Sequence, residues 1–137
     1  SVDTPIILIG PGTGIAPFMG FLAHRRALCT TEESKNTMCS NDVFFGCRHA
    51  DHDWLYKTEM QTMVGEGAIT NLYTAFSRDA KKDDGKKQFT VKYVQHIMTD
   101  NSECRERLVH NIMNQNGHVY ICGDGNHMAK DVQEAIA

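Results

Sequence analysis

A chain of 137 residues, 41% hydrophobic and 23% charged, can bury one core but not two, so one domain over residues 1–137 is expected. Its net charge of −3 offers no basic field to nucleic acid and no polybasic anchor for direct membrane contact. No apolar run reaches the length of a bilayer span and no signal-peptide pattern opens the chain, which therefore reads as cytoplasmic.

The first element is the continuous apolar run Ile6–Ile9, the pattern of a strand buried on both faces of a parallel sheet. Ile15, Phe18, Met19 and Leu22 follow at helical spacing, with Pro17 in the first turn where its missing N–H costs little. Residues 29–41 are polar and predict a surface connection, after which "DVFFGC" is a second buried strand. A short helix is predicted over 55–64, a third strand over "ITNLYTAF", and a solvated, disordered loop over "RDAKKDDGKKQ". "YVQHIM" and "CRERLVHNIMNQN" predict helices, the second ended by Gly117; "HVYIC" is expected to be a fourth core strand, and a last helix begins at Met128. Strands alternating with helices predict an α/β fold, an open, doubly wound, mostly parallel sheet. The five cysteines, Cys29, Cys39, Cys47, Cys104 and Cys122, never form a Cys-x-x-Cys pair, which favours reduced thiols over a disulfide framework or a zinc site.

Between the first strand and helix lie Gly10, Gly12, Thr13 and Gly14. In doubly wound folds the ligand sits at the carboxyl ends of the strands, and glycine there removes the Cβ that would block its approach. The free N–H groups of the turn, with roughly half a positive charge from the helix dipole, suit a phosphate or pyrophosphate. A tight strand-to-helix turn is the plainer explanation, and three glycines in five positions make it the weaker one. No Gly-Lys-Ser/Thr follows, so the turn is not that of a nucleoside triphosphatase. The dinucleotide fingerprint has Ile15 in place of its third glycine, and the second strand ends in Gly46-Cys47-Arg48-His49 rather than an acidic residue. An ordinary NAD dehydrogenase therefore fits poorly. His49 and His52 have no Cys or carboxylate ligands in a matching pattern and read as surface histidines, with no metal site.

"GPGTGIAPF", "FFGCR" followed by "DHDWLYKTEM", "TAFSRD", "KYVQH" and "VYICGDGNHMAKDV" occur in the order found in ferredoxin-NADP-reductase-like flavoproteins. The chain resembles their Rossmann-like NADP-binding domain, and most of all that of the diflavin branch, of the microsomal NADPH-cytochrome reductase type. The resemblance implies that Ser77 and Arg78 bind the adenosine 2′-phosphate, a guanidinium fork beside a hydroxyl being a sound dianion clamp. Tyr93 and Gln95 match positions against the adenine and its phosphate, although Tyr93 read alone is nearly as well explained as a half-buried core ring. The family's lysine two residues before that tyrosine is Val91 here, with Lys92 shifted by one, so Lys92 or a lysine of the preceding loop takes its place. Arg48 matches a residue near the phosphates. Gly123, Asp124, Met128 and Asp131 match the segment lining the cofactor, helix capping being the plainer account of the aspartates. Cys122 matches the cysteine that aligns the nicotinamide for hydride transfer and is the candidate catalytic residue; read alone it is a small buried hydrophobe.

The same resemblance implies NADP(H) as cofactor, with FAD and FMN bound on other domains of a parent protein and a haem or other redox protein downstream. An N-terminal anchor on the parent would place the domain at the cytosolic face of a membrane. The flavin-binding Arg-x-Tyr-Ser/Thr motif does not occur, and the family pattern continues past Ala137 with a helix and a strand ending in an aromatic residue. The expectation is a segment of a larger reductase, truncated at its C-terminus, that binds NADPH without turning it over. A non-enzymatic NADP(H)-sensing module is the alternative.

Overall fold

The computed structural model describes residues 3–29, 39–78, 93–123 and 128–137. Four strands, β1 (Ile6–Ile9), β2 (Asn41–Cys47), β3 (Asn71–Phe76) and β4 (His118–Ile121), form one parallel sheet in the order β3-β2-β1-β4. Ile6 pairs with Asn41 on one side and His118 on the other, and Cys47 pairs with Phe76 at the far end of the β2–β3 ladder. The chain builds outward from β1 to β3, then returns to place β4 on the other side of β1. That reversal defines the crevice at the carboxyl ends of the strands where such sheets take ligands.

Helices α1 (Ala16–Leu28) and α2 (Lys57–Gly65) cover one face. There Ile6, Leu8, Val43 and Phe45 meet Phe18 and Leu22 of α1 and Met60 and Met63 of α2. Helices α3 (Val94–Asp100), α4 (Ser102–Val109) and α5 (Met128–Ile136) cover the other. Ile7, Ile9 and Phe44 point that way, onto Val94, Ile97, Cys104, Leu108 and Val132. Successive side chains of a strand face opposite sides, so burial on both faces requires an unbroken apolar run rather than an alternating one. The doubly wound α/β expectation is met. Among the described residues no helix is long and apolar enough to cross a membrane.

Several expectations are corrected. β4, expected as a core strand, has no fully buried residue, although its Val119 and Ile121 pack against the core; among the described residues only its β1 side is paired. Cys29 and Asn41, the two ends of the expected surface connection, are buried, and Asn41 already belongs to β2, where its side chain donates to the Ala68 carbonyl at 2.8 Å; residues 30–38 lie outside the described residues. Helix α2 starts at Lys57 because Tyr56 adopts a left-handed conformation with φ of 56°. The expected helix from Cys104 begins earlier, at Ser102, where the Asn101 side chain accepts from the Cys104 N–H at 3.0 Å. It runs on as a π-helical turn over His110–Asn114, and its left-handed closing residue is Asn116, φ 53°, ahead of Gly117. Of the charged loop 78–88, only Arg78 is a described residue.

At the amino ends of the strands, Asp42 is 1% exposed and accepts hydrogen bonds from Asn71 (2.9 Å), Asn111 (3.0 Å) and Arg107 (3.2 Å). A carboxylate buried there is tolerable only because all three donors converge on it. It ties β2 to β3 and to the helical layer, at the end of the sheet away from the ligand crevice.

Candidate functional site

The carboxyl ends of β1, β2 and β3 and the start of α3 enclose a cleft of about 320 Å³. Pro11 follows β1; Gly46, Cys47 and Arg48 come from the end of β2; Ser77 and Arg78 follow β3; Tyr93, Val94 and Gln95 open α3. The β2–β3 pairing continues past the strands, since Ser77 N–H donates to the Cys47 carbonyl at 2.9 Å and Arg78 N–H to that of Arg48 at 2.8 Å. This extension brings two arginines to the same rim. Gly46 forms part of the floor, where an added Cβ would lie 3.4 Å from both the Ala75 carbonyl oxygen and Val94 Cγ1.

Five residues singled out in the sequence, Arg48, Ser77, Arg78, Tyr93 and Gln95, thus meet in one cleft. The alternative account of Tyr93 as a half-buried core ring is overturned, because the residue is 46% exposed and lines the cleft. The side-chain oxygen of Gln95 is sealed from water and has no hydrogen-bond partner among the described residues. A buried acceptor without a donor is costly, and a ligand N–H or O–H in the cleft would satisfy it. Lys92 and Asp124 lie outside the described residues.

The glycine turn is adjacent but separate, contributing only Pro11 to the cleft. It continues as a 3-10 turn over Gly12–Ile15. Here the weighting drawn from the sequence is corrected. A Cβ on Gly10 would lie 2.7 Å from the Gly14 carbonyl oxygen, and one on Gly14 would collide with the Cys122 carbonyl, so both glycines are demanded by packing within the fold. Gly12 alone has the property looked for, a φ of +60° with nothing within 4 Å of an added Cβ; Thr13 beside it is exposed.

Cys122 is half-buried at the end of β4, where its N–H donates to the Ile9 carbonyl at 3.0 Å. Its carbonyl rests on Gly14, which places Cys122 and Gly123 beside the turn rather than in the cleft. Met128 opens α5, and Asp131 is an exposed residue of that helix's first turn. The site is therefore in two parts: a cleft over β2 and β3, and a turn-and-thiol corner over β1 and β4.

Pro11, Gly46, Cys47 and Val94 are cleft residues that sequence reasoning missed. Gly46, inside an otherwise bulky strand, was a readable signal, since strand glycines mark close approach of backbone or ligand. Cys47 Sγ donates to the His49 carbonyl at 3.3 Å. The strongly perturbed ionisable groups lie elsewhere. Burial pushes Tyr73 up to about 12 and Cys104 up to about 11, each beside the other under the α3–α4 layer. Among the described residues no three His, Cys, Asp or Glu side chains are grouped to hold a metal ion, and none of the five cysteines is in a disulfide.

A parallel α/β sheet with a glycine turn and an arginine-bearing cleft at its carboxyl ends has the architecture of a nucleotide-binding domain of the NAD(P) type. Residues 8–134 match the family described as Oxidoreductase NAD-binding domain, and the chain belongs to that family. Among its relatives, methionine synthase reductase of Homo sapiens is 45% identical over 133 residues, covering 96% of this chain and 18% of the relative. NADPH–cytochrome P450 reductase of Rattus norvegicus is 41% identical over 133 residues, covering 97% and 18%, and NADPH oxidoreductase A of Dictyostelium discoideum 41% over 134 residues, covering 98% and 18%. The chain is an NAD(P)-binding oxidoreductase domain of the diflavin reductase type. It spans just under a fifth of the length of these relatives.

Proposed function

We propose that this domain binds NADP(H) and presents the nicotinamide to FAD held on a neighbouring domain, as the hydride-entry module of an FAD/FMN oxidoreductase that passes electrons to a haem or other redox partner. The observation that carries the reading is the meeting of Arg48, Ser77, Arg78, Tyr93 and Gln95 in one cleft. A volume of about 320 Å³ is at the small end of ligand sites and suits one nucleoside phosphate rather than a whole dinucleotide. The Arg78 guanidinium and Ser77 hydroxyl hold the 2′-phosphate by charge-assisted hydrogen bonds, with Arg48 on the same rim. Tyr93 offers its ring to the adenine, and the Gln95 oxygen accepts from the ligand. Gly12 and Thr13 would hold the pyrophosphate, and Cys122 would hold the nicotinamide.

NADP(H), when bound, supplies the hydride. Cys122 orients the ring, and the chain's remaining task is to fix the other end of a long, flexible molecule. Hydride transfer needs donor and acceptor atoms held roughly 3–3.5 Å apart, which requires one protein to hold both rings. FAD has its place on a further domain of the parent protein.

Calorimetric titration tests the reading. NADP+ should bind far more tightly than NAD+, and Arg78→Ala should weaken NADP+ by about 10–100-fold while leaving NAD+ unchanged. Equal affinities in the unmodified chain would refute it. With ferricyanide present, the chain alone should oxidise NADPH no faster than buffer, and flavin domains supplied in a longer chain should restore turnover. Robust oxidation by the chain alone would place the whole reaction site within these residues.

A further inference from the structure

We propose that His96 is a positioning residue for the nucleotide, holding Tyr93 in place from outside the cleft; the proposal rests on reading the cleft as the adenosine end of an NADP(H) site. Tyr93 is the residue before α3 and has extended backbone, φ −132° and ψ 158°. Its N–H donates to His96 Nδ1 at 3.3 Å, and the His96 N–H donates back to the Tyr93 carbonyl at 3.0 Å. The two residues are thus bonded in both directions across the first turn. Glutamate or glutamine usually occupies this third helical position in a capping box, because a side-chain acceptor there can reach back to the entry residue's N–H. Histidine does so here through Nδ1, which requires its proton on Nε2.

The rings also touch, with centroids 5.6 Å apart at 52°. Tyr93 lines the cleft and His96 does not. The imidazole therefore braces the tyrosine at its backbone and at its ring, while leaving the cleft to the tyrosine. Tyr93 is 46% exposed, and the imidazole against its ring and on its N–H limits how that ring can turn. Bracing lowers the ordering cost of ligand binding, which is what preorganisation means.

The test is titration of 2′,5′-ADP into the unmodified chain and three variants, with melting temperatures measured alongside. His96→Ala should weaken binding about three- to tenfold, the range set by loss of a helix cap. His96→Gln, which returns a side-chain acceptor to the same position, should recover most of that loss. Asn101→Ala removes the cap of α4, the neighbouring helix, without touching Tyr93; it should lower the melting temperature and leave affinity unchanged. Full affinity in His96→Ala, no recovery in His96→Gln, or an equal loss in Asn101→Ala would each overturn the positioning role. Failure of the unmodified chain to bind 2′,5′-ADP would instead overturn the NADP(H) reading beneath it.

Discussion

Gly14→Ala should unfold this domain at a markedly lower temperature. The added Cβ meets the Cys122 carbonyl oxygen, with the Cys122 carbonyl carbon at 2.7 Å and Gly123 Cα at 3.2 Å. All three atoms are backbone, so no side chain can rotate away, and relief requires the end of β4 to lift from β1. That movement stretches the bond from Cys122 N–H to the Ile9 carbonyl, now 3.0 Å. Overpacking of this kind costs about 1–3 kcal/mol and the lost hydrogen bond about 1 kcal/mol more. Unfolding entropy for a chain this long is roughly 0.3 kcal/mol per kelvin, so the melting temperature should fall by about 7–13 °C. Gly12→Ala is the internal comparison. Its Cβ enters open space at φ +60°, at a cost of about 1–2 kcal/mol for the left-handed conformation. Urea and thermal unfolding of both variants, followed by circular dichroism, should rank Gly14→Ala below Gly12→Ala. Nucleotide affinity should fall more than stability when Gly12 carries a larger side chain, as in Gly12→Val. A Gly14→Ala protein as stable as the unmodified chain would refute the packing argument, and an intact affinity in Gly12→Val would remove the turn from the site.

Other expectations follow from groups away from the cleft. Asp42→Ala strands the Asn71 and Asn111 amides and should cost about 3 kcal/mol in urea unfolding, with nucleotide affinity unchanged; weakened binding would mean that the two ends of the sheet are coupled. Cys104 and Tyr73 hold their protons in the folded state up to about 11 and about 12 respectively, while the unfolded chain releases them earlier. Stability should therefore fall as pH rises, from the unfolded thiol's titration near 9 until the folded groups ionise in turn. Cys104→Ala should flatten the first part of that decline, and an unchanged profile would refute the assignment. Iodoacetamide at pH 8.5 should label Cys104 only as fast as the domain opens, which peptide mass spectrometry can follow.

Local patterns were legible wherever burial alone fixes residue type. Ile6–Ile9 and "DVFFGC" could be read as doubly buried strands because both sheet faces are covered, and "TAFSRD" and "KYVQH" brought their cleft residues with them. What stayed hidden depends on contacts between distant segments. Asp42 is one polar letter at the head of a strand until Asn71, Arg107 and Asn111 are folded against it. Gly10, Gly12 and Gly14 look alike in the chain, and only the position of Cys122 and the turn's own backbone separate two packing glycines from the one beside open space. β4 has the apolar spelling of a core strand, but its place in the sheet order, which composition does not encode, leaves only its β1 side paired among the described residues.

It is the carbonyl of Cys122, not its sulfur, that leans on Gly14. The shape of this corner is consequently written in main chain on both sides, while the half-buried side chain at 122 packs separately, against the core under α1 and α2. Serine or alanine there would keep the turn and the end of β4 in register while thinning that core contact. Position 14 has no such latitude. The contact that fixes the end of β4 against the turn therefore tolerates a change of side chain at one of its two positions and not at the other.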